Sequence, residues 1–208
     1  LAQTDMKRLI AFSSVAHMGF VMLGISTLTS LGINAALFGM VAHGLITGML
    51  FFLAGSVQHA YHTREMSRLG GLLTQAPKMG WILGFCAMAS LGLPGLAGFW
   101  GEFPAILSAF DPAAGLNESV FRAFMVVAAI GTVLAAGYLL WMLQKVAFGE
   151  PKEEFAHAHI HDVGTAEWIA WLPLLALIVV FGVAPGLMTK VTDPAVKQMV
   201  EKIGRAHV

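Results

Sequence analysis

The sequence predicts an all-α integral membrane protein with five transmembrane helices, the third broken at Pro94, and a short amphipathic helix at the C-terminal end. Three observations lead there. Only 12% of the 208 residues are charged and 57% are hydrophobic, where a soluble domain averages about 25% charged. Mean hydropathy is +0.75. The apolar residues collect in five runs, each near or above the roughly 20 residues that a helix needs to cross a bilayer. These runs are 9–28, 33–57, 79–110, 120–148 and 166–188, so the bundle is expected over 1–190 and the amphipathic tail over 191–208.

The same composition excludes several function classes. A net charge of zero gives no basic surface for nucleic acid and no acidic arm. The single cysteine, Cys86, lies mid-segment among apolar residues, which rules out a disulfide framework and a thiolate metal site. Residues 1–8 lack the charged start and short apolar core of a signal peptide, and Leu1 is not a methionine. The expectation is a C-terminal piece of a longer protein.

The first run has Asp5, Lys7 and Arg8 at its mouth and His17 about ten residues further in, or roughly 15 Å at 1.5 Å per residue. That depth is near the bilayer midplane. The second run places His43 at a similar depth from the other face, among Gly39, Ala42, Gly44, Thr47 and Gly48, small residues that let helices approach closely. The third run is longer than one crossing requires. Pro94, Gly95 and Gly98 interrupt it, since proline removes a backbone donor and clashes with the preceding turn. Beyond the interruption stands Glu102, about eight residues or 12 Å from the outer end. An ionisable group at bilayer depth costs roughly 2.5–3.5 kcal/mol on insertion scales, so it faces protein or water and marks function.

Glu102 is therefore the first candidate for proton binding. His43 and His17 follow, because imidazole titrates near neutrality and has two nitrogens for accepting and releasing a proton. Asp5 and Lys7 are candidates for gating proton access, with a solvated helix flank as the plainer reading. The fourth run is rich in Ala and Gly and uncharged between Arg122 and Lys145, which suits packing. The loop after it, 149–162, is polar and flexible by composition. Its His157, His159, His161 and Asp162 alternate without a further defined ligand group, so no metal is expected there. In the tail, Val196, Met199, Val200 and Ile203 recur at helical spacing, which suits a helix lying in the interface. Lys7, Arg8, Arg64, Arg68, Lys78, Lys145 and Lys152 fall at one set of ends and Arg122 at the other. The positive-inside rule then puts the start of the chain in the cytoplasm and its end outside. Lys190, Lys197, Lys202 and Arg205 run against that count, but they follow the last span.

Four strings are recognisable: residues 2–20, Ala42-His-Gly-Leu45, Thr63-Arg-Glu-Met66 and Gly92-Leu-Pro-Gly-Leu-Ala-Gly-Phe-Trp-Gly-Glu-Phe103. They resemble the antiporter-like membrane subunits of respiratory complex I, and the string Ser14–Phe20 favours the M branch over the L and N branches. The resemblance implies fourteen helices with two inverted five-helix repeats, of which this chain would be the last five. It implies that Glu102 is the terminal carboxylate from which protons leave, that His43 is its relay on the preceding helix, and that His17 is an auxiliary group. The family's central lysine and its lysine–glutamate pair would lie upstream of Leu1. The implied setting is a bacterial inner membrane, with the other membrane-arm subunits and the lipid bilayer as partners. No cofactor is expected in this chain, although the complex as a whole uses NADH, FMN, iron–sulfur clusters and quinone. A subunit of a multi-subunit cation/proton antiporter of the Mrp type shares these motifs and is the alternative. A purely structural membrane subunit is a further one.

Overall fold

The computed structural model describes residues 3–156, 158 and 160–206, without the side chains of the last two. Among them the chain is helical throughout: α1 Met6–Ser26, α2 Ser30–Tyr61, α3 Leu72–Gln75, α4 Pro77–Ser90, α5 Ala97–Ser108, α6 Glu118–Val146, α7 Thr165–Val183 and α8 Gly186–Ala206. Four of these, α1, α2, α6 and α7, are long and apolar enough to cross a membrane. The predicted third run is two helices of 14 and 12 residues, separated by residues 91–96.

Helix starts follow from local chemistry. Asp5 caps α1 by accepting from the Arg8 amide at 3.0 Å, and its other oxygen pairs with Arg64 Nε at 2.6 Å. The first turn of a helix has amides without internal partners, and side-chain oxygens there are worth about 1 kcal/mol. Thr29 caps α2 in the same way through the Gly32 amide, and Asn117 caps α6 through the Val120 amide. The cap of α4 comes from far along the chain: Asp162 accepts from the amides of Lys78 and Met79, both at 3.0 Å. Glu167 closes the first turn of α7 on the Gly164 amide and accepts from the Ser56 hydroxyl of α2 at 2.7 Å.

The 149–162 loop, expected to be flexible, is tied down at several points. Arg68 pairs with Glu154, Gln75 donates to the Phe155 carbonyl, and the Phe155 ring meets Tyr61 edge-on. His157 and His159 lie outside the described residues. Asp162 is committed to the α4 cap, and no metal-holding cluster occurs among the described residues.

The core forms where α2 runs against α1, α4 and α5, around Met49, Leu50, Leu53, Leu83 and Cys86, with Leu139 and Met142 of α6 closing one side. Elsewhere α6 and α7 turn their apolar faces outward, with only 11% and 17% of their most apolar windows buried. The tail helix starts five residues before the predicted boundary, at Gly186, and is anchored rather than free. Asn34 of α2 donates to Asp193 at 3.0 Å and accepts from Thr192 at 2.7 Å. Of the predicted apolar face, Val196 is buried and Met199 is about half exposed at 51%.

Candidate functional site

The site grows from the interruption between α4 and α5. The chain leaves α4 at Ser90, passes Gly92 with φ +68°, Pro94, and Gly95 with φ +93°, and re-enters a helix at Ala97. A positive φ is strained for any residue with a Cβ. At Gly92 there is a second demand, because a Cβ there would stand 2.8 Å from Glu102 Oε2. The bend and the acid are thus packed against each other. Glu102 is on the second turn of α5, and α5 can lie close to α2 because Gly101 faces Gly39 backbone to backbone. Trp100, two residues before Glu102, donates its indole N–H to the Gly182 carbonyl of α7 at 2.8 Å.

His17 of α1 reaches the acid directly. Its Nδ1 is 2.7 Å from Glu102 Oε1, and its Nε2 is 3.1 Å from the Ser90 hydroxyl. Both partners are sheltered, with side-chain exposure of 7% for His17 and 13% for Glu102. When Glu102 is ionised, Nδ1–H donates to it and Nε2 either accepts from Ser90 or, on the imidazolium, donates to it. When the proton is on Glu102, the carboxyl O–H donates to Nδ1 and Nε2–H donates to Ser90. The ion pair and the neutral pair therefore hold the same proton and carry the same total charge. The ring of His43 stands 5.2 Å from that of His17, centroid to centroid, and its own nitrogens are 3.1 and 3.3 Å from the Thr47 hydroxyl one turn on. Between them is a cavity of about 20 Å³ lined by His17, His43, Ser90 and Glu102. A water needs roughly 10–15 Å³ of such space, so the cavity has room for one.

Three sequence-predicted residues, Glu102, His43 and His17, come together, but in a different order. His17, given the auxiliary role, touches Glu102, and His43 stands behind it. Asp5 and Lys7 are at the mouth of α1, about 15–18 Å along the helix from His17. Asp5 is engaged as a cap and in an ion pair, and Lys7 is half-buried. Pro94 and Gly95 are in the exposed link, and Gly98 packs on the Ala89 carbonyl of the last α4 turn. Sequence reasoning missed Ser90. An isolated serine at a helix end carries no local signal.

The chain matches, over residues 1–135, the sequence pattern of the family described as NADH:quinone oxidoreductase/Mrp antiporter, TM. It is 41% identical over 201 residues to NADH-quinone oxidoreductase subunit M of Rhodobacter capsulatus, covering 97% of this chain and 38% of that protein. It is 39% identical over 201 residues to NAD(P)H-quinone oxidoreductase chain 4 2 of Synechococcus sp. (strain JA-3-3Ab), covering 96% and 37%. Among solved structures it resembles a chain of respiratory complex I from Thermus thermophilus with bound NADH, at TM-score 0.85 and 30% identity, over 96% of this chain and 40% of that one. A chain of the Mrp complex from Dietzia sp. DQ12-45-1b has the same fold at TM-score 0.80 and 20% identity, over 97% and 44%. The chain thus spans about two fifths of the length of the relatives it matches.

Proposed function

Because the chain belongs to the NADH:quinone oxidoreductase/Mrp antiporter membrane family, we propose that it is the proton-translocating part of a membrane-arm subunit of an NADH:quinone oxidoreductase. The observation that carries this reading is the buried pair of Glu102 and His17 at 2.7 Å beside a helix interruption, with His43 next in line. An acid and an imidazole sharing one proton inside an apolar bundle can take up a second proton and give it back, which is the elementary act of translocation. Quinone reduction elsewhere in the complex drives it, and this chain has no redox group of its own. Neighbouring membrane-arm subunits and the bilayer are its partners.

In this reading α4 and α5 together make the fifth crossing, broken at the link that holds Pro94. The start of the chain faces the cytoplasm of a bacterial inner membrane and its end faces the periplasm. Glu102 loads from within and releases outward. His17 is the group that exchanges protons with it, and His43 relays to His17. The Mrp-type antiporter is second, supported by a 20% identical structure that shares the fold alone. Transport that requires sodium would favour it. A structural subunit, in which Glu102 and the histidines only bind helices together, is third.

The test is Glu102→Gln in the full-length subunit, with NADH-driven proton uptake into membrane vesicles measured beside a native gel. The amide keeps the shape and one acceptor but cannot carry the proton. Expected is an assembled complex with most of its coupled proton uptake lost. Normal uptake would refute the reading, and failure to assemble would favour the structural one.

A further inference from the structure

The first turn of α5 is weakly secured by its own helix. Leu96, just before it, gives no side-chain cap. Pro104 stands inside the helix and has no N–H to return to the Trp100 carbonyl four residues back. The link that leads into the turn is exposed at Leu93, Pro94 and Gly95. Yet Glu102, one turn on, keeps its carboxyl at 2.7 Å from a ring on another helix.

Successive residues of a helix point about 100° apart, so Trp100, Gly101 and Glu102 face three different neighbours. Gly101 meets Gly39 of α2 backbone to backbone. Such a contact has no side chains to interlock, so it sets the spacing of the helices but not the roll of α5 about its axis. Glu102 meets His17 of α1. Trp100, half-buried, meets α7, where its indole N–H donates to the Gly182 carbonyl at 2.8 Å. That carbonyl is in the last turn of α7, whose carbonyls lack internal donors, and Pro185 offers none. Gly182 also takes the link itself, since a Cβ there would run into the Gly95 carbonyl oxygen and Leu96 Cα. The α7 turn is held in its own right: Phe181 meets the buried Phe38 ring of α2 edge-on, 6.2 Å between centroids. A side-chain tip stands about 5–6 Å from a helix axis, so a roll of roughly 10° moves it about 1 Å. A shift of that size would carry the 2.7 Å bond to about 3.7 Å, out of range.

We infer that Trp100 is a positioning residue for Glu102: by tying the first turn of α5 to the last turn of α7, it fixes the roll at which the carboxyl reaches His17. The inference rests on the reading of Glu102 as a proton carrier. Trp100 itself exchanges no proton.

The experiment compares Trp100→Phe, Trp100→His and Glu102→Gln in the full-length subunit within its intact complex. Assembly on a native gel, NADH oxidation and proton uptake per NADH oxidised are read for each. Phenylalanine keeps an aromatic ring and loses the donor. Histidine keeps a donor, because its Nε2 stands at the ring position of the indole Nε1. Trp100→Phe should assemble, and its uptake per NADH should fall at least about tenfold, where displacing a reacting group by about 1 Å can cost a hundredfold. Trp100→His should restore most of it. If Trp100→Phe keeps normal uptake per NADH while Glu102→Gln loses it, the positioning role is refuted and the proposed function stands. If Glu102→Gln itself pumps normally, that function falls and this inference with it. Failure of Trp100→Phe to assemble, or a loss that Trp100→His does not reverse, would make the indole a packing group and overturn the inference.

Discussion

Replacing Gly92 by alanine perturbs Glu102 without substituting any titratable group, and Gly95→Ala is its internal control. Both glycines have positive φ, +68° and +93°, so each alanine carries a left-handed backbone worth roughly 1–2 kcal/mol of strain. Only at Gly92 does the new methyl meet the acid, at 2.8 Å from Oε2, while at Gly95 nothing lies within 4 Å. Ordinary carbon–oxygen contact starts near 3.4 Å, so the carboxyl must retreat by about 0.6 Å, the difference between 3.4 and 2.8. Oε1 of the same carboxyl holds His17 at 2.7 Å, and it moves with Oε2, so the bond is disturbed by at most that 0.6 Å, to about 3.3 Å when the whole movement lies along it. A charge-assisted bond contributes roughly 1.5–3 kcal/mol, so with the strain of about 1–2 kcal/mol Gly92→Ala should cost up to about 2.5–5 kcal/mol at the site and Gly95→Ala only the strain. In vesicles, Gly95→Ala should pump nearly as the parent does, and Gly92→Ala should lose most proton uptake per NADH oxidised. Equal pumping in the two variants would refute the argument that the bend sets the reach of Glu102.

Two further outcomes follow from packing and charge. Gly101→Ala would drive a methyl into the Gly39 backbone, a contact that only helix separation relieves, at a cost of roughly 1–3 kcal/mol or more. The subunit should assemble poorly on a native gel, whereas Gly44→Ala, with open space around its Cβ, should assemble normally. The second concerns Asp193, whose carboxyl is held below the usual range chiefly by its bond to Lys197 at 2.6 Å, with Asn34 of α2 adding to it. A depressed carboxyl stabilises above its unfolded value of about 3.9, and that contribution is lost as the pH falls through the folded value. The protection of α8 amides, as exchange relative to the intrinsic rate at each pH, should therefore stay flat between pH 8 and 5 and fall only in stronger acid, and Asp193→Asn should remove the fall. Lower protection already at pH 6 would contradict this docking.

The helices and the acid were legible because composition and run length act locally. A 20-residue apolar run announces a crossing, and one carboxyl within it announces a site. The azimuth of a helix that is apolar on every side is not written in its sequence. That is why the 85-residue link from His17 to Glu102 was invisible, while the relay role of His43 came from the resemblance alone. Ser90 matters only because of where α1 and α4 cross. The Asp162 cap on α4 was hidden for the same reason, since an aspartate in a His-rich loop reads as solvated until the loop is folded back. The anchoring of α8 belongs to this class too: Thr192 and Asp193 look like tail residues until Asn34 meets them.

The shortness of the His17–Glu102 bond bears on how the membrane potential reaches the site. Its 2.7 Å, even if aligned with the membrane normal, covers less than a tenth of a hydrocarbon core about 30 Å thick. A full charge crossing the membrane exchanges about 2.3 kcal/mol per 100 mV, so a proton shifting within the pair exchanges about 0.2 kcal/mol, below thermal energy. The pair is almost blind to voltage. Under the proposed function, the electrical work of transport would fall instead on the long approaches, from the mouth of α1 inward and from Glu102 to the far face.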